Sequence, residues 1–317
     1  MATTTTIAGR EGVLGTLTGS ARRRRKERAV EAVLVAAAGL SVVISVAIVL
    51  ALLFRTLTFV SKVDLGALWA GVWRPRQGQF DLLSLVYGST VVTAIAMIVA
   101  TPLGLGAAAY LSEYARPSIR RVLKPIIETL AGIPSVVIGF FALTVINPVI
   151  VQGIFGATST FTMMAAGIGV GILTIPLIAS VSEDAMYAVP GALREAAYGI
   201  GARRRTVTLR VVLPAAVSGI VASLILGISR ALGETMVVAI AAGATGNAER
   251  TLNPFEPNQT LTAAIASLAI GSDQVKTRGS GLNAFDALYL VGFILFVSTL
   301  LLNVISERFV RRFRRQY

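Results

Sequence analysis

Six long apolar stretches, almost free of charge, constrain this chain more than any other feature. They cover roughly residues 30–54, 85–109, 126–150, 161–181, 214–242 and 284–306. About 20 apolar residues in a helix cross the ~30 Å hydrocarbon layer of a bilayer. A backbone in lipid must satisfy its own hydrogen bonds, and a helix does so within one segment. The runs are continuous and do not alternate in and out, which argues against a membrane barrel. Composition agrees: 55% of the 317 residues are hydrophobic and only 14% are charged, against about 25% charged in ordinary soluble domains. The expectation is an all-α integral membrane protein with six spans.

The basic residues orient those spans. Tails and loops alternate in charge: one set holds 21 Lys and Arg, the other set seven, and Arg230 lies within a span. Positive charge accumulates on the cytoplasmic side, so both termini are expected in the cytoplasm. By the same rule the run Arg22–Arg25 reads as an anchor for the first span, not as a nucleic-acid patch. The first apolar run exceeds the 7–15 residues of a signal-peptide core, so it reads as an uncleaved anchor. The expected organisation is a basic tail at 1–28, a transmembrane domain at 29–310 with a cytoplasmic loop at 182–213, and a second basic tail at 311–317.

The composition also removes chemistry. With no Cys and no His, disulfides, thiol catalysis, imidazole acid–base steps and Cys/His metal sites are excluded. No phosphate-binding loop of the form G-x-x-x-x-G-K-[ST] occurs. Glycines at 104, 106, 167, 169 and 171 lie inside apolar runs, where close helix packing explains them. No catalytic residue, metal site or cofactor is expected, and any ATP-driven work must draw on another chain. On the opposite side, segment 55–84 reads as a loop with a short interfacial helix presenting Trp69 and Trp73. Thr260–Ile270 is apolar but too short to span, so it reads as a helix on the outer face or a re-entrant piece.

One cytoplasmic loop carries a motif. Residues 195–214 read EAAYGIGARRRTVTLRVVLP. Pro190 is suited to begin a helix, small Ala residues allow close approach to a partner, and Gly201 can take positive φ and end the helix. This stretch resembles the EAA loop of ABC importer permeases. Glu195, Ala196, Ala197, Gly201, Leu213 and Pro214 match it at fixed offsets, and Val211 stands where Ile is usual. PLGLGAAAYLSEY at 102–114, ETLAGIPSVVIGF at 128–141 and SRALGETM at 229–236 resemble the C-type permeases of phosphate-specific (Pst) importers. The resemblance implies a type I importer fold in which the loop is a coupling helix. It implies a second homologous permease, a cytoplasmic ATPase dimer, an extracytoplasmic phosphate-binding protein and a bacterial plasma membrane location. Nucleic acid is not among the expected partners. The rivals are a permease for sulfate, molybdate or another small solute, and an ion-coupled secondary carrier.

Arg230 and Glu234 are the chemical anomaly. A charge at mid-bilayer costs at least ~2.5–3.5 kcal/mol on insertion scales, so both should face protein. Four residues apart on one helix, they share a face and can pair. Guanidinium suits phosphate oxygens, so a place on the substrate path and a structural ion pair both fit. Beside them runs a ridge of small residues, Gly219, Ser223, Gly227, Ala231, Thr235, Ala239 and Gly243, which predicts close helix packing. Glu128 and Lys124 read as headgroup contacts at the end of the third span.

Overall fold

The computed structural model describes residues 21–244, 247–271 and 284–313. Residues 1–20 of the expected basic tail, Lys276 and Arg278 of the loop before the sixth span, and the last four residues lie outside that set. The chain divides into two units, Met1–Phe54 and Arg55–Tyr317. The described part of the first is helical, the bulk of α1 (Ala21–Val60). Its apolar side chains, among them Val30, Leu34, Leu40 and Val43, are exposed all round. A helix apolar on every side suits lipid better than water.

The second unit contains the remaining spans. Helix α2 (Leu82–Ala109) begins at Asp81, whose carboxylate accepts from the Ser84 N–H, and it ends in a wide π turn, Tyr110–Tyr114. Helix α3 (Pro117–Leu130) is short and buries no residue. Helix α4 (Ser135–Phe141) continues as a π-helical stretch to Gln152 and a last turn to Phe155. Helix α5 (Met163–Tyr187) is the most buried of the spans. Then come α6 (Gly191–Gly199), α7 (Arg204–Val207) with its extension to Ala215, and α8 (Val217–Gly233). Helix α9 (Met236–Val238) runs on as a π turn to Gly243, and α10 (Leu261–Gly271) and α11 (Ala287–Phe313) complete the set.

Among the described residues five helices are long and apolar enough to cross a membrane, or six when the segments 204–215 and 217–233, bent by 72°, count as one span. The six-span expectation holds, but two spans differ from their sequence reading. The third starts at Ser135, not near 126, because Gly132–Pro134 interrupt the chain after α3. The fifth bends at Ala216 and stops at Gly233, so 214–242 is not one straight helix.

Glycines let α2 and α5 close on each other, as their placement predicted. A Cβ on Gly167 would lie 2.6 Å from the Cβ of Ile95, and one on Gly104 would lie 2.8 Å from Ile178. Gly106 has open space, so packing does not explain it. The main core joins Val92 and Ala96 to Ile138, Ala142, Val170, Leu173, Val237 and Ala241.

At one end of the unit, strands β1 (Val72–Arg74), β2 (Gln79–Phe80) and β3 (Ala248–Glu249) form an antiparallel sheet in the order β2-β1-β3. Trp69 is exposed as expected, on the 3-10 turn Leu65–Trp69. Trp73 is not. It is fully buried at the centre of the sheet, with its ring 6.1 Å from Phe80. Helix α10 buries Leu261, Ala264 and Leu268 in the same cluster and exposes Ile270 at its end, so most of the 260–270 segment packs against the rest of the unit.

Candidate functional site

The motif loop forms a capped, projecting helix. Pro190 takes an extended conformation (φ −55°, ψ 135°) and α6 follows at once. At the other end Gly201 has φ +81°. Its N–H donates to the Tyr198 carbonyl at 2.9 Å, and the Ala202 N–H reaches back to Ala197 at 3.1 Å. This pair of bonds closes a helix around a left-handed residue, a conformation that glycine adopts without strain.

The six motif residues divide by environment. Ala197 is buried against Ala108, Met186, Val207 and Val212. Glu195 and Ala196 are exposed, Tyr198 is largely so, and Ile200 is 87% exposed. Leu213 and Pro214 open the last turn before the 72° bend.

Arg194 fixes this helix to the bundle. Its Nη2 donates to Glu113 Oε1 at 2.9 Å and to the Met186 carbonyl at 2.8 Å, and its Nη1 donates to the Val189 carbonyl. Carbonyls in the last turn of a helix lack partners within it, and a cation there is favoured by the helix dipole. One guanidinium thus ties α6 to the end of α5 and to the π turn after α2. Sequence reasoning counted Arg194 only as a loop charge; the available signal was a single acid, Glu113, closing an apolar run.

A second knot lies beside it. The Glu183 side chain, fully buried near the end of α5, pairs with Arg120 and with Lys124 Nζ at 2.7 Å. Lys124 also holds Asp184, and the Arg120 guanidinium lies 3.7 Å from the Tyr187 ring centre. Lys124 therefore does not reach toward headgroups as expected; Glu183 and Asp184 draw it inward. Burial would lower its pKa, but hydrogen bonds and charge from Asp184 and Glu183 raise it instead. Glu128 likewise turns to Ser180, at 3.4 Å.

The fifth span places Arg230 and Glu234 differently from the sequence reading. The ridge up to Ala231 packs as predicted: a Cβ on Gly219 would lie 2.3 Å from that of Ala185, the Ser223 and Ser182 hydroxyls are 2.6 Å apart, and Gly227 faces Ile178 and Thr174. Past Gly233 the helix ends. Glu234 is extended (φ −70°, ψ 128°), so the i, i+4 geometry fails, and no ion pair joins it to Arg230. Arg230 is exposed and has no hydrogen-bonding or charged partner among the described residues. The helix resumes at Met236, with Glu234 Oε1 3.5 Å from the Val237 N–H. Gly139 of α4 lies against this restart, where a Cβ would meet Val237 Cα at 3.0 Å. From α10, the Thr262 hydroxyl donates to the Glu234 carbonyl at 2.6 Å.

No group of three or more acidic side chains able to hold a metal occurs among the described residues.

A bundle of apolar, broken and tightly apposed helices with a capped loop helix at one end is the architecture of an importer permease. Two solved transporters share it: a methionine ABC transporter in an inward-facing conformation (TM-score 0.52, 18% identity, 73% of this chain and 94% of that one) and a bacterial ABC transporter for alginate (TM-score 0.54, 15% identity, 73% and 79%). Residues 100–316 match the family described as binding-protein-dependent transport system inner membrane component, and the chain belongs to it. Among its relatives are the phosphate transport system permease protein PstC of Mesorhizobium japonicum (35% identical, 76% of each chain) and that of Pasteurella multocida (31%, 85% of this chain and 87% of the relative). The probable ABC transporter permease protein YqgH of Bacillus subtilis is 36% identical over 74% of this chain and 75% of its own length.

Proposed function

We propose that the chain is a permease subunit of an ATP-driven phosphate importer in a bacterial plasma membrane, with both termini cytoplasmic and residues 29–310 as its permease domain. The observation that carries the transport mechanism is α6: a helix with Glu195 and Ala196 exposed, clamped to two spans by Arg194. A projecting helix fixed in this way can pass a displacement on to the bundle. A cytoplasmic ATPase dimer would grip Glu195, Ala196 and the turn at Gly201, with Leu213 and Pro214 leading the motion into the fifth span. ATP hydrolysis would belong to that dimer and not to this chain. The names of the PstC relatives support phosphate as cargo, delivered by an extracytoplasmic phosphate-binding protein.

Arg230 and Glu234 would line the path, at an interface with a second, homologous permease. An exposed guanidinium without a partner within a span needs anionic or polar cover, and a passing phosphate supplies it when its water is removed. The second reading keeps the mechanism and changes the cargo to another oxyanion. Labelled phosphate uptake in cells lacking other phosphate transporters tests both. Arg230→Ala is expected to abolish uptake while the permease still co-purifies with an ATPase. Normal uptake by that variant removes Arg230 from the path, and competition by sulfate or molybdate stronger than that by phosphate reassigns the cargo.

A further inference from the structure

The break at Gly233–Thr235 leaves a carbonyl that a continuous helix would have paired. With ψ at 128°, the Glu234 C=O turns out of the helix direction and needs a donor from elsewhere, because a bare carbonyl away from water is costly. Thr262 supplies it at 2.6 Å across 28 residues of chain. Its own surroundings fix the direction of that bond. Thr260 and Thr262 hydroxyls lie 3.0 Å apart, and Thr260 Oγ1 accepts the Ala263 N–H at 3.2 Å. A hydroxyl has one proton. Since that of Thr262 goes to Glu234, Thr260 must donate to Thr262. The result is a directed chain: Ala263 N–H to Thr260, Thr260 to Thr262, Thr262 to the Glu234 carbonyl. Both threonines are buried, so water does not readily replace either member.

We infer that Thr262 is a positioning residue for transport, holding the broken fifth span so that Glu234 stays out of the helix and Arg230 stays unpaired by it. Were the break to anneal into a helix, Glu234 would fall four residues after Arg230 on one face and the two charges would neutralise each other. This inference rests on the reading of Arg230 and Glu234 as path residues. It adds that the outer segment 258–271 sets their geometry through one hydroxyl.

The test is uptake of labelled inorganic phosphate by the full complex in cells without other phosphate transporters, expressed per assembled complex. Thr262→Val keeps the shape and removes the proton. It is expected to lower the rate at saturating phosphate by about tenfold, the scale of one buried unpaired carbonyl. Thr262→Ser restores the donor and is expected to return the rate to within about twofold. Wild-type transport by Thr262→Val, or equal losses in Val and Ser, overturns the assignment, because then the hydroxyl is not what matters. Should Thr262→Val assemble poorly, Thr262→Ala is the second variant, read on the fraction that assembles and judged by the same tenfold loss. Arg230→Ala and Glu234→Ala run alongside. If both transport normally, the path reading falls and takes Thr262 with it. If both abolish uptake while Thr262→Val is normal, only the Thr262 assignment falls.

Discussion

Arg194 and Glu113, 81 residues apart in sequence, meet at 2.9 Å where the loop helix joins the bundle. The Glu113 side chain is only 4% exposed and that of Arg194 20%, so the pair is mostly sheltered from solvent. Removing one partner of a buried pair leaves the other charge uncompensated, at a cost on the order of 3 kcal/mol. Arg194→Ala should therefore lower the melting temperature of the purified complex. It should also uncouple phosphate from ATP hydrolysis, since α6 loses its tie to α5. Arg194→Lys keeps the charge but not the fork and should fall between. Unchanged melting and coupling in Arg194→Ala would remove the clamp from the mechanism.

At the opposite end, Asp81 caps α2 and accepts from Arg250 Nε at 3.0 Å. Burial by itself would raise its carboxyl pKa, but bonds from Arg250 and from Ser84 outweigh it and hold the value at about 2, below the ordinary 3.8. A lowered folded-state pKa stabilises above the unfolded value. That contribution, on the order of 2 kcal/mol, is complete above about pH 4 and fades as pH falls through about 2. Trp73, buried in the adjoining sheet, reports the change once Trp69 is replaced by Phe, since the chain has only two Trp. Its emission should shift to the red between pH 4 and 2 in the Asp81 protein. Asp81→Asn should melt earlier at pH 7 and lose that pH dependence; a variant that keeps it points to another group.

Gly219→Ala and Gly227→Ala should differ in how much stability they cost. At Gly219 the new methyl would lie 2.3 Å from the Ala185 Cβ, which cannot swing away; at Gly227 it would meet Ile178 Cδ1 at 3.1 Å and Thr174 Cγ2 at 3.2 Å, contacts that a shift of a few tenths of an ångström relieves. Overpacking costs about 1–3 kcal/mol where the backbone must shift. Thermal unfolding in detergent should show a clear loss for Gly219→Ala and a small change for Gly227→Ala. Equal effects would mean that α5 and α8 are not held at this separation.

Gly201→Ala tests the loop's closing turn. Alanine at φ +81° pays about 1 kcal/mol, and the space around it is open, so the cost is conformational only. The variant should assemble and melt slightly early. Transport should fall if ATPase binding requires the turn, and ATPase co-purification gives the direct reading.

Much of this was legible in the amino-acid order because the signals are local or composition-wide. Spans follow from hydropathy, the capped loop helix from Pro190 and Gly201, and close packing of the fifth span from small residues four apart, though not that α5 is its partner. The breaks were not legible. Pro102 and Pro176 lie inside unbroken helices, while Pro134 stands at the head of one, so proline in an apolar run does not by itself locate a break. The Arg230–Glu234 pairing assumed a continuous helix and failed with it. Likewise Glu113, Glu183 and Thr262 find their partners 81, 59 and 28 residues away, distances at which no spacing rule operates. Trp73 looked interfacial because strands of two or three residues leave no periodic trace.

The 72° elbow at Ala216 has a mechanical consequence. A thrust received at α6 and carried along 204–215 cannot continue down the axis of α8, because the two lie far from collinear. It would arrive as a swing about Ala216, and Gly219 against Ala185 sits one turn beyond that pivot, like a hinge pin in its socket. Rotation of α8 there sweeps Arg230, three further turns along, through a wider arc than any part nearer the pivot.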